Sequence, residues 1–178
     1  MKKWVALFSQ TGTEIFNLIE DLAIKPDRII INNSDLTNVN SKLLDKYFDV
    51  LWVAPNKPSI EEYDTFLDES TIVTMHGWLR IVPPAICERY KIYNLHPAPL
   101  TRYPFLKGKD PQKRCIEQDL EYGGNTLHEC SSELDSGKII YEDEVRIRGY
   151  SVDVAYDAIY ASAFKLWKKF LINEFKRS

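Results

Sequence analysis

Trp4-Val5-Ala6-Leu7-Phe8-Ser9-Gln10-Thr11-Gly12-Thr13 is an unbroken apolar run that stops on polar residues and a glycine. Five apolar residues in succession suit a parallel strand buried on both faces, where in–out alternation is lost. Ile15, Leu18, Ile19 and Leu22 follow. Their i, i+3, i+4, i+7 spacing is the stripe of an amphipathic helix. Strand, glycine-containing turn and helix make half of a βαβ unit.

The pattern then recurs. Arg28 to Ile31 reads as a strand, Leu43, Leu44, Tyr47 and Phe48 as a helix face, and Val50 to Ala54 as a strand. Ser59 and Glu62 form an S-x-x-E capping box opening a helix with Tyr63, Phe66 and Leu67. Thr71 to Met75 is the next strand, Pro84 to Tyr90 a short helix, and Lys91 to Leu95 a fifth strand. Strands alternating with helices at this spacing predict an α/β fold: a mostly parallel sheet with helices on both faces.

After His96 the grammar changes. Pro97, Pro99 and Pro104 stiffen a loop that cannot enter a central strand. Asp110-Pro111 reads as a cap and first-turn proline of a helix reaching Leu120 and ended by Gly123-Gly124. Asn125 to Cys130 and Lys138 to Ile147 predict an antiparallel strand pair. Ser151 caps a last helix with Val152, Ala155, Tyr156, Ile159, Ala163, Leu166, Trp167 and Phe170 on one stripe. One domain over residues 1–178 is the expectation.

Composition is that of a globular protein, with 44% apolar and 28% charged residues. Twenty-three basic against 26 acidic residues leave a net charge of −3, which gives no basic field for nucleic acid. The basic cluster Lys165, Lys168, Lys169, Lys176 and Arg177 reads as a solvated helix terminus. Three cysteines without a CxxC pair suit reduced thiols in a cytoplasm. The apolar run before Ser9 is too short for a signal peptide or membrane span. Only small-molecule partners are expected, for a monomer or homodimer.

Ligands of open α/β sheets sit beyond the carboxyl ends of the strands, and Asn94 and His96 stand at such an end. Their spacing of two puts both side chains on one face. A carboxamide donor beside an imidazole suits stabilisation of a developing oxyanion and proton transfer. Asp135 lies in Leu134-Asp135-Ser136-Gly137, where a carboxylate can orient an imidazole. The same Asn-x-His pair also suits a structural hydrogen bond, and His76 and His128 suit structural roles. His128 and Cys130 share a strand face, but the four close ligands of structural zinc are lacking, so no metal is expected. The Gly12 turn has one glycine and not the G-x-G-x-x-G dinucleotide fingerprint, which disfavours an oxidoreductase. Glu14 in the first helical turn opposes an anion there.

Four stretches occur in order: Gly77-Trp78-Leu79-Arg80-Ile81-Val82-Pro83-Pro84-Ala85; Asn94-Leu95-His96-Pro97-Ala98-Pro99-Leu100 with Tyr103-Pro104; Gly124-Asn125-Thr126-Leu127-His128; and Leu134-Asp135-Ser136-Gly137. Together they resemble the formyltransferases that use 10-formyltetrahydrofolate. The second is similar to that family's N-x-H-P-S-L-L-P-x-Y-P-G signature. The resemblance covers nearly the whole chain, most densely residues 71–140, and is nearest the branch serving purine synthesis.

The resemblance implies a Rossmann-like formyltransferase fold and 10-formyltetrahydrofolate as co-substrate. It implies formyl transfer to a primary amine, either glycinamide ribonucleotide or a related amino nucleotide or amino sugar. Catalysis would fall to Asn94, His96 and Asp135. Folate would be held by Arg80, Ile81 and Val82, largely through backbone groups, with Ser132 and Leu134 of the 131–135 loop. The acceptor would meet Gly12, Thr13, Glu14, Pro97 and His128. Where the family's first turn reads G-x-G-S-N, this chain has Gln10 to Glu14, so Glu14 replaces the asparagine that meets a phosphate. Tyr160-Ala161 falls at the family's Glu-His pair. The alternatives are a formyltetrahydrofolate hydrolase, marked by formate release without an amine, and a non-catalytic folate- or nucleotide-binding relative.

Overall fold

The computed structural model describes residues 2–176; Arg177 of the basic cluster lies outside them. The chain forms two compact units, residues 1–93 and 94–178, with the division falling inside one strand.

In the first unit β1 (Lys3–Phe8), α1 (Thr13–Leu22), β2 (Arg28–Ile31), α2 (Ser41–Tyr47), β3 (Leu51–Val53), α3 (Ile60–Phe66), β4 (Thr71–Met75) and α4 (Pro84–Arg89) alternate, and β5 (Lys91–His96) begins. The strand order is β3-β2-β1-β4-β5. β1 pairs in parallel with β2 and with β4, and β2 with β3. The apolar runs are buried on both faces, as a central parallel strand requires: Trp4 to Phe8 and Ile29 to Ile31 are all buried. Ile15, Leu18, Ile19 and Leu22 are buried too, and each such side chain is worth roughly 1.5–3 kcal/mol against water. The capping box forms as read: the Glu62 N–H donates to Ser59 Oγ (3.3 Å) and the Ser59 N–H to Glu62 Oε2 (2.7 Å).

In the second unit the strand order is β5-β6-β7, with α5 (Pro111–Glu117), β6 (Tyr122–Glu129), β7 (Ile139–Arg146) and α6 (Val152–Phe175). β6 and β7 are antiparallel, and the register slips between Leu127 and His128. Such a bulge bends a strand and re-aims its side chains. Ala98, Leu100, Leu106, Cys115, Ile147, Ala155 and Ile159 form one buried cluster.

Several sequence expectations are corrected. Gly123 and Gly124 do not end a helix but lie within β6. A Cβ at Gly123 would come within 2.8 Å of Ile159, and one at Gly124 would overlap the Asp143 carbonyl oxygen, so the glycines allow close packing rather than punctuation. α5 ends at Glu117, and Asp110 makes no side-chain cap; its backbone is left-handed (φ 51°). Val152 starts α6 but is exposed. The last turn of α6 has no basic residue: Lys165 pairs with Asp143 at 3.1 Å, and Lys169 lies over the Tyr141 ring. Cys87 and Cys115 are free thiols. Among the described residues no helix is long and apolar enough to cross a membrane, and no group of three or more His, Cys, Asp or Glu could hold a metal ion.

Candidate active site

β5 runs one residue further than its pattern suggested, carrying His96 into the sheet. Asn94 is half-buried and His96 buried, two apart on one face. His96 Nε2 donates to the Leu106 carbonyl (2.9 Å), since a carbonyl can only accept. Its Nδ1 faces Asp135 Oδ2 at 3.3 Å. Both ring nitrogens thus face acceptors, an arrangement satisfied by an imidazolium with two N–H donors. The Asn94 carboxamide makes no hydrogen bond among the described residues.

Asp135 sits at left-handed φ 50° in the loop between β6 and β7. Its side chain is only 6% exposed, and the Gly108 N–H donates to Oδ2 at 3.0 Å. Burial works to raise its pKa, but hydrogen bonds from His96 and the Gly108 N–H outweigh that and leave it below the ordinary carboxylate value. Gly137 closes the loop where a Cβ would overlap the Glu129 carbonyl oxygen.

His128 follows the register slip and turns Nε2 to within 3.7 Å of Asp135 Oδ1. Its Nδ1–H donates to the Glu129 carbonyl at 3.1 Å. Burial pushes its pKa below the usual imidazole value, ahead of the opposing Glu129 bond and Asp135 charge. In the neutral ring, with the proton on Nδ1 facing the Glu129 carbonyl, Nε2 is an acceptor, buried and without a hydrogen-bond partner. Two acceptors, His128 Nε2 and Asp135 Oδ1, face each other and can share one incoming N–H or O–H donor.

Sequence reading had no signal for the groups that hold this cluster. The His96 anchor is a backbone carbonyl in a 3-10 turn, Pro104–Leu106. Arg114 clamps that turn by donating to the carbonyls of Phe105 and Lys107. Lys107 donates to Ser136 at 2.7 Å, tying the turn to the Asp135 loop. Gly108, at a φ of +87° that glycine adopts readily, turns its N–H to the carboxylate.

The remaining predicted residues divide between the units. Pro97 follows His96 and is half-buried; Ser132 and Leu134 are exposed in the Asp135 loop. Tyr160 and Ala161 are exposed on α6. Gly12, Thr13 and Glu14 belong to the first unit, where Glu14 Oε1 accepts from His76 Nδ1 at 2.6 Å. The segment 77–82 is tied to the end of β1: the Ser9 N–H donates to the Gly77 carbonyl (3.2 Å), and the Leu79 N–H to Ser9 Oγ (2.9 Å). Arg80 spends its guanidinium on Asn56 and the Leu79 carbonyl. Ile81 is 79% exposed and Val82 buried.

Parallel βα units followed by an antiparallel pair, with an asparagine–histidine–aspartate cluster at a strand end, define a Rossmann-like α/β protein with a polar site suited to carbonyl chemistry. The formyl transferase family model matches residues 31–164, more than half of the chain. Phosphoribosylglycinamide formyltransferase of Haemophilus influenzae is 25% identical over 160 residues, covering 83% of this chain and 74% of the relative. That of Escherichia coli is 29% identical over 96 residues, covering 53% of this chain; the chain spans 43% of that relative's length. The crystal structure of phosphoribosylglycinamide formyltransferase from Campylobacter jejuni superposes with a TM-score of 0.79 at 26% identity, over 98% of this chain and 97% of that one. The chain belongs to the formyl transferase family.

Proposed function

We propose that the chain, acting as one formyltransferase domain, transfers a formyl group from 10-formyltetrahydrofolate to a primary amine in the cytoplasm, as a monomer or homodimer. The acceptor is glycinamide ribonucleotide, the substrate in the names of its relatives, or a related amino nucleotide or amino sugar. The observation that carries the reading is the doubly held His96 beside the free carboxamide of Asn94.

The folate supplies the formyl carbon that the amine attacks. Asn94 donates an N–H to the oxygen that becomes negative. His96, fixed on Leu106 and Asp135, adds positive charge beside it, and such preorganised groups act without reorganising during the reaction. The Asp135–His128 acceptor pair takes up the proton that the amine releases as the new C–N bond forms; the bond from the formyl carbon to N10 then breaks, N10 receives the proton, and tetrahydrofolate leaves.

The residues assigned to the folate suit a flat, partly apolar ring system. In the first unit Ile81 is exposed on the segment that carries the backbone groups of Arg80 and Val82; in the second, Ser132 and Leu134 are exposed on the Asp135 loop. Because the guanidinium of Arg80 is already engaged, its contribution is the backbone.

The test follows loss of the formyl group from 10-formyltetrahydrofolate by absorbance, with glycinamide ribonucleotide, with amino-sugar nucleotides and with no amine. Amine-dependent loss is expected. Formate release without an amine identifies a hydrolase, and folate binding without turnover a non-catalytic protein; either overturns the reading.

A further inference from the structure

The turn after β1 holds a second polar site. Residues 10–14 with His76 and Gly77 line a cavity of about 170 Å³. It lies at the carboxyl ends of β1 and β4, where sheets of this kind take ligands.

The cavity also meets the start of α1, a ten-residue helix, and helix starts ordinarily favour anions. Here the protein supplies its own anion. Glu14 stands in the first turn, and its Oε1 accepts from His76 Nδ1 at 2.6 Å. The His76 side chain is 1% exposed. Its Nε2 lies 2.8 Å from Thr74 Oγ1, which accepts from Trp4 Nε1, also at 2.8 Å. A relay of buried groups thus fixes the carboxylate at the cavity, and the Glu14 side chain remains 20% exposed.

One backbone donor of the turn is engaged within the protein, and one of its hydroxyls accepts from a neighbouring element. The Thr13 N–H donates to Thr11 Oγ1 at 3.3 Å, and Asn40 Nδ2 donates to Thr13 Oγ1 at 3.3 Å. The group that projects at the cavity is a carboxylate, an acceptor with lone pairs to spare. A phosphate placed there would meet a fixed like charge; a hydroxyl would meet a partner.

We infer that the Gly12 turn receives an uncharged, hydroxyl-bearing end of the acceptor, and that Glu14, positioned by His76, is the specificity residue that excludes a phosphate. The inference rests on the formyl-transfer reading for the ligand's identity, and selects among its acceptors those without a phosphate at this end.

The chain has three histidines, so the His76 ring signals in an NMR spectrum are assignable by single substitution. The protein is titrated with glycinamide ribonucleotide and with its dephosphorylated ribonucleoside. The ribonucleoside is expected to move the His76 signals at a concentration at least tenfold below the ribonucleotide. Glu14→Gln, which keeps an acceptor for His76 without the charge, is expected to erase or reverse that preference, and Glu14→Asn serves as a second variant. Equal or tighter response to the ribonucleotide in the parent, a preference unchanged in both variants, or no response to either ligand overturns the inference. Formyl transfer to an acceptor with His76 unmoved sinks the pocket assignment alone. A His76 response without any formyl loss sinks the formyl-transfer reading alone.

Discussion

His96 has little freedom: one ring nitrogen is spent on a carbonyl and the other faces a carboxylate. Loss of one oxyanion donor typically costs about 10²–10³ in turnover. Asn94→Ala, His96→Ala and Asp135→Ala should each lower kcat by at least that order with the formyl-folate and a competent amine. Turnover within tenfold of the parent in any of them contradicts the assigned roles. The cluster also makes stability depend on pH. Burial depresses the His128 pKa, so its contribution is full above the ordinary imidazole value of 6.5 and is lost as pH falls through the folded value. Asp135 contributes in the same sense lower down, being fully stabilising above 3.8 and losing that as pH falls through its depressed value. Denaturant titrations at about pH 7 and about pH 5 should show a loss in the parent that His128→Gln escapes. Equal losses in both proteins would remove burial of His128 as the cause.

Most strands and helices of the first unit were legible from apolar runs and helical stripes: Arg28–Ile31 and Thr71–Met75 fall where the runs placed them, whereas Phe48, read onto the face of α2, lies past its end and is exposed. The meeting of His96 with Asp135 was legible through the loop motif and the family resemblance. Their supports were not, since the Leu106 carbonyl and Gly108 N–H are backbone groups with no sequence signature. The reading failed most plainly at Gly123-Gly124, where glycine signals a close approach and a turn alike; only the partner, Ile159 or Asp143, tells them apart. Gly124→Ala and Gly137→Ala should therefore destabilise by at least about 3 kcal/mol, the upper end of ordinary overpacking. Gly77→Ala, with nothing within 4 Å of the added carbon but φ at +72°, should cost only about 1–2 kcal/mol. Thermal or denaturant unfolding that ranks Gly77→Ala worst would reject this division. Ser59→Ala should cost about 1 kcal/mol through the lost cap.

Burial of the thiols gives a report on integrity. Cys115 sits in the core cluster of the second unit, its Sγ 3.1 Å from the Tyr122 carbonyl, and burial pushes its pKa up to about 11. Thiolate being the reactive form, a thiol reagent near neutral pH should leave Cys115 unmodified until unfolding. Modification of folded protein as fast as a free thiol would contradict that burial. The strand order has a consequence of another kind, for handling the protein at high concentration. β7 closes the second unit's sheet with eight residues, long enough to template a neighbouring chain. Its middle reads Tyr141-Glu142-Asp143-Glu144. Charged side chains on an outer strand are a recognised safeguard against edge-to-edge aggregation; here Asp143 and Glu144 hold Lys165 and Arg102, so an incoming strand would have to displace or bury ion pairs at the margin of the fold that hydrogen bonding leaves open.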